Sequence, residues 1–277
     1  MYMRAFLKRF WWAGLIVVGL VLVIGAMLFF SKDNIDKNEV TKNDSSTTGE
    51  TKDKEKKIEW PSADAKYITA VPLDLTQILS ISKYRGCAGH DFSGYSFEQT
   101  PETDRSMKHY IYPVAQFQGT INKVKMLAPF DGTVSSIDLE SDQIGQPGKR
   151  PQTGNGITFS TPADPNVGFE FSHIYFVKEF KVGDVVKGGE LIGYAALGDK
   201  GNDFDLVLSG PRMSNSSIFG SVFDHMTESV LGEFAAHGVT IGNTKFTKEY
   251  RDANPCGYAA GTQKGGRPGE SWTQLTP

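Results

Sequence analysis

The sequence predicts a mainly β domain closed by a C-terminal helix, set behind one apolar N-terminal segment. Three observations carry this. Thirty glycines and thirteen prolines in 277 residues suit a turn-rich sheet better than a helical bundle. Two strand-turn-strand phrases, Ala128-Pro-Phe-Asp-Gly-Thr-Val134 and Val182-Gly-Asp-Val-Val-Lys-Gly-Gly-Glu-Leu-Ile-Gly193, put Gly and Asp at turns between β-branched runs. Between them, Gly168 to Phe180 alternates apolar and polar residues, the pattern of a half-buried strand.

Phe10 to Phe30 is an unbroken run of 21 uncharged residues. At 1.5 Å per residue it is long enough for a bilayer core of roughly 30 Å. Arg4, Lys8 and Arg9 precede it, while Lys32, Asp33, Asp36 and Lys37 follow. This bias predicts residues 1–9 in the cytoplasm and the C-terminal part outside, a single-pass cell-membrane protein. Trp11 and Trp12 fall where an interfacial aromatic belt sits. A cleaved signal peptide is the rival, but the run exceeds a usual signal core and no clear small-x-small site follows. Residues 31–59 are rich in Lys, Asp, Glu, Asn, Ser and Thr and read as a disordered tether. The domain spans 60–260, and 261–277 reads as a flexible tail. Net charge is −3 and no basic stripe appears, which excludes an electrostatic case for nucleic acid. The two cysteines, Cys87 and Cys256, fall on the oxidising side, which predicts a disulfide between them.

Within the domain, strands are expected at Met107 to Phe117, Ile121 to Leu127, Val134 to Leu139, Ile157 to Ser160, Leu191 to Ala196 and Phe204 to Leu208. Lys83 to Tyr95 reads as a polar loop. The period then changes: Phe219, Val222, Phe223, Met226, Val230 and Phe234 predict one amphipathic helix, with Ser221 and Asp224 as a capping box and Gly238 as the stop.

Tyr84 to Leu208 resembles the lysostaphin-like zinc endopeptidases of bacterial cell walls, whose split-barrel fold is called the duplicated hybrid motif. Ala128 to Val134 is similar to that family's first hemi-barrel, Phe171-Ser-His173-Ile-Tyr to its Tyr-x-His-Leu strand, and Val182 to Gly193 to its Gly-rich second segment. The resemblance implies peptidoglycan peptide cleavage by a zinc ion with three protein ligands and an open position. Those ligands come from a His-x-x-x-Asp loop and the second histidine of a His-x-His strand. Here Cys87-Ala-Gly-His-Asp91 and Asp203-Phe-Asp205 stand in those places, so the implied metal set is Cys87, Asp91 and Asp205, with His173 catalytic. A thiolate with two hard carboxylates is an odd zinc site and shifts preference towards another divalent cation. A disulfide at Cys87 removes that ligand altogether.

Each candidate has a plainer alternative. His173 is either a base or oxyanion donor, or a groove histidine paired to a neighbour. His90 and Asp91 are either part of a rebuilt metal site with His109, or an Asx-turn with an exposed imidazole. Asp203 and Asp205 share a strand face, as a cation site or as a solvated edge. Arg105 to Tyr110 is either an anion-binding cluster or a strand edge protected by charge. His225 and His237 read as surface residues. The function expected is a catalytically degenerate, membrane-anchored domain that binds envelope glycan or peptide, or an envelope protein. An active metallopeptidase with an unusual ligand set is one alternative. A periplasmic adaptor with a split lipoyl-like domain is another, weakened by the Gly/Pro-rich, non-heptad segment between the halves.

Overall fold

The computed structural model describes residues 59–140, 154–198, 203–213, 216–258 and 270–276. The 10–30 segment and the 31–58 stretch of the tether lie outside them, and among the described residues no helix is long and apolar enough to cross a membrane.

The domain is built on one sheet, antiparallel except where β11 pairs with β2, as the Gly/Pro punctuation predicts. Its strands are β1 (Ile78–Ser82), β2 (Tyr95–Ser96), β3 (His109–Pro113), β4 (Lys125–Leu127), β5 (Gly132–Asp138), β6 (Asn155–Thr161), β7 (Asp164–Phe176), β8 (Val185–Val186), β9 (Leu191–Ala195), β10 (Phe204–Ser209), β11 (Ile218–Gly220) and β12 (Trp272–Gln274). The main order is β12-β1-β3-β10-β7-β6-β5-β8; β11 pairs with β10 and carries β2 on its other side, and β9 pairs with β7 and carries β4. The two Gly-rich phrases pair with each other: Gly132 lies opposite Val186 and Met126 opposite Gly193. Asp131 fastens their turns, its Oδ1 accepting from Gly188 N and its Oδ2 from Lys187 Nζ, both at 2.9 Å. Gly189 allows the tight turn there, with φ +81°.

Side-chain alternation divides the central sheet into two faces. Phe169, Phe171, Phe204, Leu206, Leu208 and Ile111 enter one hydrophobic core. The opposite face carries Val207 with Tyr84, Met107 and Phe219 in a smaller cluster, and also the polar residues of the candidate site.

Three sequence expectations need correction. The apolar run from Phe219 to Phe234 is not one helix: it is β11, a 3-10 turn at Val222–His225, and α1 (Glu228–Ala236). Thr227, not Ser221, is the N-cap residue, and Gly238 (φ +78°) follows the C-cap His237. Periodicity cannot distinguish a helix from a strand and a turn that present the same apolar residues to one core. A further helix, α2 (Lys248–Ala253), follows, capped by the Thr247 side chain. The end of the chain is not wholly a loose tail, because Trp272–Gln274 adds a strand to β1. His225 is not a surface residue: it is 2% exposed, bonded through Nδ1 to Ala65 O at 2.7 Å and stacked on Tyr67.

Candidate functional site

β7 is the longest strand, and it changes partners midway. Up to Ser172 it pairs with β10; from Ile174 it pairs with β9. His173 lies at the change. On the other edge it is the extra residue of a bulge, because Ile174 faces Asn155 while Ser172 faces Gly156. Its backbone is left-handed, φ +65°, a strained state for a residue with a Cβ. The bulge leaves the imidazole, 38% exposed, with Nε2 3.9 Å from Asp205 Oδ2.

Pairing of β10 with β3 and β7 sets the rest of the site. Asp205 lies between Tyr110 and Ser172. Lys108, two residues before Tyr110, projects to the same face, and its Nζ is 2.6 Å from Asp205 Oδ2. The ammonium also sits 4.7 Å from the Phe92 ring centroid and 4.6 Å from that of Tyr110. Both members of this ion pair are buried, with side chains 7% and 5% exposed. Asp205 Oδ1 is buried without a hydrogen-bond partner among the described residues. Glu170 joins the face from β7, accepting from the Ser172 hydroxyl at 2.9 Å. Burial first, and the Asp205 charge after it, raise the Glu170 carboxyl above its ordinary range. The same two causes push Asp203 up to about 6, with His173 and Lys108 opposing them. Desolvation likewise raises the Tyr110 phenol.

Glu170 also borders a cleft of about 550 Å³, walled by Phe92 and Phe219 and edged by Asp91, Ser217 and Arg212. The loop supplying Phe92 is held by buried charges. Glu102, 4% exposed, accepts from Arg85 and from Arg105, and Arg105 reaches Asp252 of α2. The Cys87–Cys256 disulfide, with Cα atoms 5.3 Å apart, ties the same loop to the end of α2. Arg251 stands beside it, donating to Arg85 O and to Cys87 Sγ at 2.7 and 2.9 Å.

The disulfide predicted from compartment is therefore present, and it removes Cys87 as a metal ligand. Asp91 accepts from the Ser93 hydroxyl, His90 Nδ1 lies 2.8 Å from Asp91 O, and both residues sit in the loop bordering the cleft. His109 does not join them. It is fully buried on the core face, with Nδ1 2.8 Å from Ser82 O and its ring 5.1 Å from that of Phe223, because alternation turns it away from Lys108 and Tyr110. Arg105 to Tyr110 is likewise no exposed edge, since all six residues are buried. Sequence reasoning placed Lys108 in the Arg105 to Tyr110 cluster without its partner and missed Glu170 and Arg212; only the pairing of β3, β10 and β7 brings Lys108 and Glu170 to Asp205.

A zinc ion does not fit these residues. One implied ligand is oxidised, a lysine ammonium holds Asp205, and no group of three His, Cys, Asp or Glu among the described residues could hold a metal.

No protein-family model matches the chain, and no curated protein sequence matches it. Among solved structures it is similar to LytM from Ruminococcus gnavus, at 18% identity and TM-score 0.30 over 42% of this chain and 44% of that one. It is similar to the catalytic domain of the prophage-encoded M23 protein EnpA from Enterococcus faecalis, at 17% identity and TM-score 0.29 over 49% and 92% of the two chains. The catalytic domain of the antimicrobial peptidase lysostaphin from Staphylococcus simulans gives 15% identity and TM-score 0.31 over 52% and 89%. The chain spans less than half the length of the Ruminococcus protein. These neighbours belong to the group that the sequence motifs resemble. At such TM-scores the likeness says nothing about the site, whose chemistry rests on the geometry above.

Proposed function

We propose that this domain does not hydrolyse peptides and instead binds envelope material, or a partner protein of the envelope, through the cleft beside Phe92, Glu170 and Arg212. The observation that supports this reading best is the Cys87–Cys256 disulfide, which takes a sulfur out of an already sparse ligand set. What remains is a recess with aromatic walls, acids inside and a guanidinium at the edge, the makings of a recognition surface for polar ligands. The apolar run at 10–30 would hold the domain at the outer face of the cell membrane, within reach of such ligands.

The test is direct. Purified protein is incubated with isolated cell walls, and both release of soluble fragments and co-sedimentation are measured. Co-sedimentation without release is expected, weakened in Arg212→Ala. Stoichiometric zinc together with release that disappears in His173→Ala would overturn the reading. A second reading, hydrolysis with His173 moving protons, draws on the left-handed backbone at that residue, and the same assay decides it.

A further inference from the structure

Arg251 of α2 is a cation buried beside a sulfur, 2% exposed. It donates to Arg85 O and Asn254 O, both at 2.7 Å, and through Nη1 to Cys87 Sγ at 2.9 Å. None of these acceptors is an anion, and Nη2 is buried without a partner among the described residues. The neighbouring guanidinium groups are better served: Arg85 is paired with Glu102, and Arg105 with Asp252. Glu270 is the carboxylate whose charge acts most on Arg251, but it accepts from the Tyr250 hydroxyl at 2.7 Å. Arg105 and the Tyr250 and Tyr258 phenols are the other titratable groups acting on it. A buried charge without a counter-ion is unfavourable. The rings of Phe246 and Tyr250, 4.7 and 5.6 Å away, fix the guanidinium plane and offset part of that cost.

We infer that Cys87–Cys256 is a thiol-exchange site as well as a crosslink: an external dithiol reduces it, and Cys87 leaves as a thiolate paired with Arg251. The anion that the guanidinium lacks then forms at the sulfur to which Nη1 already donates. Cys87 is partly exposed whereas Cys256 is 8% exposed, so the entering thiolate attacks Cys87 Sγ. A bond forms between those two sulfurs and the Cys87–Cys256 bond breaks. Its electron pair goes to the Cys256 sulfur, which takes up a proton. The second thiolate of the reductant then attacks the reductant's own sulfur, closes a cyclic disulfide and expels Cys87. The protein gains two electrons and the dithiol loses two. One of the dithiol's protons ends on Cys256 and the other passes to water. Arg251 favours the last step, because a charged donor stabilises the departing thiolate.

The intact chain is equilibrated with dithiothreitol, and circular dichroism follows the fold. The reduced chain is alkylated with iodoacetamide across a pH series, and mass spectrometry reads the rate at Cys87. Its midpoint should fall below about 7.5, against about 8.5 for an ordinary thiol. Arg251→Met should move the midpoint to about 8.5 or above. The same change should lower the equilibrium constant for reduction roughly tenfold to a hundredfold. Arg251→Lys keeps the charge and should retain part of both effects. A wild-type midpoint at or above about 8.5 overturns the inference, and that measurement needs no variant to fold. Reduction that proceeds only as the chain unfolds overturns it too. So does a folded Arg251→Met whose midpoint and equilibrium constant match the wild type. Neither result bears on the cell-wall assay, which uses the oxidised chain.

Discussion

Removing the disulfide is the most informative single perturbation of this fold. Cys87 and Cys256 are separated by 169 residues, and the loop they close runs from β2 to α2. In the chain-entropy account, closing a loop of that length removes about 17 cal/mol/K from the unfolded ensemble, or about 5 kcal/mol at 25 °C. Cys87→Ala/Cys256→Ala should therefore lose up to ~5 kcal/mol, a fall in Tm of roughly 10–20 °C for a domain of this size. Urea unfolding of the oxidised wild type and of the double variant, followed by tryptophan fluorescence and by circular dichroism, measures the difference. A loss below about 1 kcal/mol with unchanged m-value would refute the view that this crosslink, rather than a metal, restrains the cleft loop. The Arg85–Glu102–Arg105 cluster would then be the main restraint on that loop.

Three other outcomes follow. Glu102→Gln should cost about 3–5 kcal/mol in urea unfolding, because it leaves two buried guanidinium groups sharing a neutral partner. His109 is buried, and desolvation lowers it from 6.5 to about 4. The unfolded chain takes up this proton first, so the stability it contributes is complete above pH 6.5 and is lost as pH falls towards 4, by roughly 3 kcal/mol; an NMR titration placing its midpoint above 6 would sink this. Asp203, raised to about 6, has the opposite sign, its contribution falling away as pH rises from about 4 to 6, so the His109 slope is best read in an Asp203→Asn background. At position 173, where φ is +65°, Gly should be more stable than Ala by about 1 kcal/mol. Equal stabilities in urea would show that the bulge relaxes.

Local chemistry made much of the fold legible. Gly183-Asp184 and Gly188-Gly189 mark turns because only glycine enters the left-handed region freely, and both phrases fold as strand-turn-strand. The alternation from Gly168 onward marked β7, the strand that carries His173. The helix was misjudged because Phe219, Val222, Phe223 and Phe234 all reach the interior, which periodicity records without saying through which backbone. His109 was misplaced for a related reason. Its neighbours Lys108 and Tyr110 belong to the site, and one step along a strand reverses the face.

The sequence alone determined the β class and the place of His173 on a central strand, because turn chemistry and strand periodicity act over a few residues. Only the tertiary structure decided what surrounds Asp205. Lys108 lies 97 residues away along the chain, and Glu170 meets it from a third strand. Which charges share a buried face follows from strand pairing over long separations, and no local pattern encodes that register.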